Sequence, residues 1–146
     1  MLIADLVRIL ESVCSTNGVE FKYGNKAHLN LIDGNGELCP DKIHLLLFPL
    51  RRGNVVDNSR IYNGNFFYVM PDDFSQEYHN ETDGDNCEAK YATRIEPLIK
   101  SLDALELKLK WCNEIDILSF ESVDAIDVLD ANMSGLYITF QFRVYE

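Results

Sequence analysis

The feature that most constrains this chain lies near its C-terminal end. Leu136, Ile138, Phe140, Phe142 and Val144 alternate with Tyr137, Thr139, Gln141 and Arg143. A strict period of two places five large apolar side chains on one face of a strand and polar ones on the other. Such a strand needs a sheet to pair with and a cover over its apolar face. Ala131-Asn132-Met133-Ser134-Gly135 precedes it and reads as a turn. Before that turn, Ile115, Ile117, Phe120 and Val123 alternate with polar residues, with an irregularity near Ser119, and Ala125 to Leu129 continue the segment. The last two elements therefore read as a hairpin of long strands, the final one over 136–145.

Two amphipathic helices supply the cover. In 2–16, Ile3, Leu6, Val7, Leu10, Val13 and Cys14 follow helical spacing, and Asn17-Gly18 offers the stop. Further on, Tyr91, Ile95, Leu98, Leu102, Leu105 and Leu109 form a stripe that reads as a core face. Pro97 is tolerated only in a first helical turn, so the main helix is expected from about residue 96.

Between the helices, Val19, Phe21 and Tyr23 read as a strand, and residues 26–32 as a second. Asp33-Gly34-Asn35-Gly36 is turn chemistry. Ile43 to Phe48 is apolar on both faces and reads as a central strand that ends by Pro49, and Phe66 to Met70 as a fourth strand ended by Pro71. Residues 51–64, rich in Arg, Asn and Gly, read as a loop with a short excursion at Val55-Val56. Residues 72–87 have almost nothing to bury and read as a long acidic loop or arm. The order α, β, β, β, β, α, β, β gives one α+β domain over 1–146: an antiparallel or mixed sheet of about five to six strands with both helices on one face.

Charge narrows the function. The 146 residues carry a net charge of −11. Seven acids (Asp72, Asp73, Glu77, Glu81, Asp83, Asp85 and Glu88) occur with no Lys or Arg among them, and six more lie between Glu114 and Asp130. Such a chain is not expected to bind nucleic acid sequence-specifically or to dock on anionic lipid, both of which need clustered cations. No apolar run approaches the length of a bilayer span, and Asp5, Arg8 and Glu11 interrupt any secretory apolar region. The acidity is read either as a solvated face or as a docking surface for a basic partner. The one basic cluster is Arg51-Arg52 with Arg60 nearby.

Catalytic patterns fit poorly. Pro71-Asp72 followed by Glu88-Ala89-Lys90 matches the loose PD…(D/E)xK signature of metal-dependent nucleases. There the carboxylates belong on adjacent paired strands, whereas here a polar stretch separates them. Asp33-Gly34-Asn35-Gly36-Glu37 begins like a calcium loop, but Leu38 and His44 stand where Gly and Glu are required. Cys14, Cys39, Cys87 and Cys112 form no CxxC pair, and His28, His44 and His79 fall on separate segments. No catalytic residue, metal ligand or cofactor is assigned.

The element order and the stretch Asp130-Ala131-Asn132-Met133-Ser134-Gly135-Leu136-Tyr137-Ile138-Thr139-Phe140-Gln141-Phe142 resemble small tailed-phage neck and tail-completion proteins, the tail terminators and head–tail joining ring proteins. The resemblance implies a non-enzymatic virion subunit, assembled in the bacterial host cytoplasm into a homo-oligomeric ring around the DNA channel. Neighbouring virion proteins (portal, adaptor or tail tube) would be its partners, and the acidic 72–88 stretch an arm or lumen-facing loop. Opposite charges in two exposed stretches suit head-to-tail association. The expected subunit interface then comprises Arg51, Arg52, Arg60, Asp72, Asp73, Glu77, Glu81, Asp83 and Asp85. An acidic inhibitor or DNA mimic that binds a basic partner is the first alternative, and the nuclease the second.

Apart from Phe74 and Tyr78, residues 74–86 are free of large apolar side chains. Replacing them with a short Gly/Ser linker should change loop-closure entropy by about 1 kcal/mol or less. Thermal unfolding should stay cooperative, and its collapse would show that the segment is structural.

Overall fold

The computed structural model of the protein describes residues 5–24, 42–71, 95–128 and 133–145. The 26–32 strand, the Asp33–Gly36 turn and the acidic 72–87 stretch lie outside the described residues.

The first helix, α1 (Leu6–Thr16), starts where Asp5 caps it: the Asp5 carboxylate accepts a hydrogen bond from the Val7 N–H at 3.0 Å. It stops at Gly18, whose φ of 70° is left-handed. Strand β1 (Glu20–Tyr23) follows at once, then β2 (His44–Leu47), β3 (Arg51–Val56) and β4 (Ser59–Pro71). The second helix, α2 (Glu96–Lys110), carries Pro97 in its first turn, Glu96 at its N-terminal end, and Lys108 and Lys110 in its last turn, all as the helix dipole favours. Strands β5 (Ile115–Val128) and β6 (Met133–Tyr145) close the chain.

The six strands form one mixed sheet in the order β1-β2-β4-β6-β5, with β3 also paired to β4. Among the described strands, only β1 and β2 run parallel. Strands β4 and β6 pair antiparallel over their whole lengths, from Ser59 opposite Tyr145 to Pro71 opposite Met133. Both helices cover one face of this ladder. Leu6, Leu10 and Cys14 of α1 and Ile95, Leu98, Leu102, Leu105 and Leu109 at α2 join Leu45, Leu47, Tyr62, Phe66, Tyr68 and the five alternating β6 residues in one buried core. The Tyr68 and Ser101 hydroxyls share a hydrogen bond that ties β4 to α2. On the opposite face, His44, Leu46 and Val69 are also buried, so β2 is covered on both sides, as its continuous apolar run requires.

Three expectations need correction. Residues 51–64 are not a loop: β3 and the first half of β4 form a hairpin closed by Asp57-Asn58, with φ of 52° and 61°. Two consecutive left-handed residues make the tight turn whose twist matches that of the flanking strands. The fourth strand accordingly begins at Ser59 rather than Phe66. The last strand begins at Met133, so Gly135 belongs to the sheet and not to a turn. A Cβ there would come within 2.4 Å of the Tyr68 carbonyl oxygen, which makes glycine the residue that lets β4 and β6 approach. The irregularity near Ser119 is a bulge: Ile117 pairs with Phe142 and Ser119 with Gln141, leaving Leu118 as the extra residue.

Because Leu98 and Leu102 lie in the core, Leu102→Asp buries an unpaired carboxylate at a cost of several kcal/mol. The variant should be insoluble on expression, and a soluble, folded product would place this stripe outside the core.

Burial pushes the Cys14 thiol from 9.0 up to about 12. Burial also raises the Tyr68 phenol from 10.0 to about 12, although its bond to Ser101 opposes the shift. The unfolded chain releases these protons near the ordinary values while the folded chain holds them, so stability is intact below about pH 9 and drains as pH climbs toward 12. Denaturant midpoints should fall across that window, and Cys14→Ala should flatten the fall. An unchanged slope would show that Cys14 titrates normally in the fold.

Candidate functional site

The basic cluster sits on the β3–β4 hairpin. All six residues of β3 are exposed, and its outer edge is unpaired among the described residues. The cross-strand register sorts the three arginines. Arg52 lies opposite Tyr62, with its guanidinium 5.6 Å from the ring centroid, at cation–π distance. Arg60 shares that face of the hairpin, and Arg51, opposite Asn63, points to the other. The structure therefore places Arg52 against an aromatic ring, Arg60 half-buried on the same face, and Arg51 on the other. Val55 and Val56, 52% and 61% exposed, extend the hairpin toward its tip.

The helix-free side of the hairpin forms an open groove of about 590 Å³, lined by Gly53, Val56, Ser59, Ile61, Arg143 and Tyr145 among others. The Tyr145 hydroxyl donates to the Asp116 carboxylate, and Asp116 stands opposite Arg143 in the ladder. Further along this face, Thr139 donates to Asn65 and Gln141 to Asn63, so these polar side chains brace β4 against β6.

At the far edge of the sheet, β5 pairs only with β6 among the described residues. Glu114, Asp116, Glu121 and Asp124 are exposed there, and so are Leu118 (41%) and Val123 (65%). This edge is the second acidic segment of the sequence. The first, with Asp72, Asp73, Glu77, Glu81, Asp83 and Asp85, lies outside the described residues, as do Glu88 and Lys90 of the nuclease pattern. Among the described residues, no group of three or more His, Cys, Asp or Glu side chains converges as metal ligands would. No described helix is long and apolar enough to cross a membrane. Trp111 and Leu107 leave a further exposed apolar pair at the C-terminal end of α2.

Sequence reasoning found the arginines but not the strand that carries them, and it passed over the exposed apolar residues on both edges. The missed signal was Asp57-Asn58 between Val55-Val56 and Ile61-Tyr62, two short apolar pairs around a left-handed turn. No protein-family model and no curated protein matches this chain.

Proposed function

We propose that this chain is a non-enzymatic structural subunit that assembles with copies of itself into a ring at the head–tail junction or tail end of a tailed bacteriophage. Portal, adaptor or tail-tube proteins are its neighbours in this reading. The observation that carries it is the basic edge of the hairpin. Arg51 and Arg52 stand exposed beside Val55 and Val56 on an edge strand, in a chain of net charge −11. A small cationic and apolar surface on an acidic protein suits an acidic surface on a neighbouring copy. The reading is supported further by the resemblance of the sequence, in its order of elements, to phage neck and tail-completion proteins.

Exposed ion pairs contribute only about 0.2–1 kcal/mol each. The arginines therefore set orientation, and affinity comes from apolar contact and backbone pairing. The double variant Arg51→Glu, Arg52→Glu should lower the solution mass of the assembly, measured by light scattering alone or with portal or tail-tube protein; Arg60, half-buried in β4, is left in place. The thermal midpoint of the monomer should be retained. Glu88→Ala, the carboxylate variant, should leave assembly unchanged. A wild-type protein that stays monomeric under every such condition overturns the reading. Cleavage of DNA with magnesium, abolished in the carboxylate variant, replaces it with the nuclease.

A further inference from the structure

We infer that neighbouring copies join edge to edge, β3 of one copy adding antiparallel to the outer edge of β5 in the next. This rests on the ring reading and names the surface that the basic hairpin meets.

Besides the short β1, two edge strands are open among the described residues, β3 and β5, and they are complementary in kind. Strand β3 presents Arg51 and Arg52 with Val55 and Val56. Strand β5 presents Glu121 and Asp124 with Leu118 and Val123. Each edge thus pairs exposed apolar residues with charges of a single sign, and the signs are opposite. Edge strands in monomeric proteins are guarded by charge and by bulges. Here the guard is selective. Pairing β3 antiparallel with β3 sets Arg51 and Arg52 against Val56 and Val55 and gives the arginines no counter-charge, and pairing β5 with β5 sets Glu121 against Asp124, which is destabilising. Only the unlike pairing sets opposite charges against each other. That contact is heterologous, the kind that closes into rings.

Strand direction agrees. From one edge to the other, β3, β4, β6 and β5 alternate in direction, each antiparallel to the last. A β3 added beyond β5 in the same sense continues the alternation, so successive copies need no reversal of orientation. Strand β1 stands one position further out than β3, because it pairs with β2 on the same side of β4. The copies must therefore be staggered along the strands. The stagger lays β3 against the middle of β5, where Leu118, Glu121, Val123 and Asp124 are exposed.

The experiment uses charge reversal on the full chain, with association measured by sedimentation at fixed salt. Arg51→Glu with Arg52→Glu should raise the dissociation constant by about tenfold or more, since attractions become repulsions. Glu121→Lys with Asp124→Lys should do the same. All four changes in one chain should restore association toward the wild-type value, because the two edges are again opposite in sign. If the arginine pair weakens association and the carboxylate pair does not, the hairpin meets another acidic surface: the edge pairing falls and the ring reading stands. If each pair weakens association and the fourfold variant stays weak, the two edges do not meet and the pairing falls. A wild-type chain that does not self-associate at any concentration overturns both.

Discussion

The rest of the structure hangs on the antiparallel ladder between β4 and β6. Thirteen residue pairs run without a break from Ser59–Tyr145 to Pro71–Met133, joining segments separated by the whole of α2 and β5. Each neighbour is positioned by it: β2 and β3 on one side of β4, β5 on the far side of β6, and both helices on the face where Phe66, Tyr68, Phe140 and Phe142 meet. The aromatic contacts follow from the register. Phe66 lies 5.8 Å from Phe140, and Phe140 stacks on Phe142 at 4.5 Å, separations at which ring pairs attract. The ladder tolerates these rings because glycine faces them. A Cβ on Gly64 would stand 2.5 Å from the Leu50 side chain and 2.8 Å from the Phe140 ring.

How much of this was legible follows from where the core reaches. The stripe of α1, the stripe of α2 from Ile95 onward, the two-sided burial of β2 and the alternation of β6 are all imprints of a buried surface, and each is plain in the sequence. The hairpin at 51–64 left no imprint on β3 because every residue of that strand is solvated. A strand held by its neighbour's backbone rather than by burial has no reason to alternate, so Arg, Gly and Asn at 51–54 read as loop composition. Only the turn at Asp57-Asn58 betrayed it, through backbone conformation rather than hydrophobicity. Gly135 misled for the opposite reason: it resembles a turn glycine, but its role is the close approach of the Tyr68 carbonyl.

The candidate site shows the same division. Which residues are charged was readable directly; which of them share a surface was not, because that depends on sheet order. Arg51-Arg52 and Glu121–Asp124 lie on opposite edges only because β5 pairs with β6 and β3 with β4. The bulge at Leu118 adds to this, since its extra residue leaves an apolar side chain exposed outside the regular pairing of β5 with β6.

Net charge and local charge act over different distances, and this decides whether so acidic a chain can self-associate in the proposed way. Copies of net charge −11 repel each other as wholes. At physiological ionic strength that repulsion is screened beyond about 8 Å, a length shorter than the molecule. Pairs between Arg51 or Arg52 and a facing carboxylate form at contact, inside that length, and a partly desolvated edge screens them less. Salt therefore removes the general repulsion before it removes the local attraction. In the proposed pairing, backbone hydrogen bonds between β3 of one copy and β5 of the next, lined by Val55, Val56, Leu118 and Val123, would be insensitive to both. On that proposal, an acidic body with one basic edge would stay dispersed when wrongly oriented and gain contact energy only when unlike edges meet.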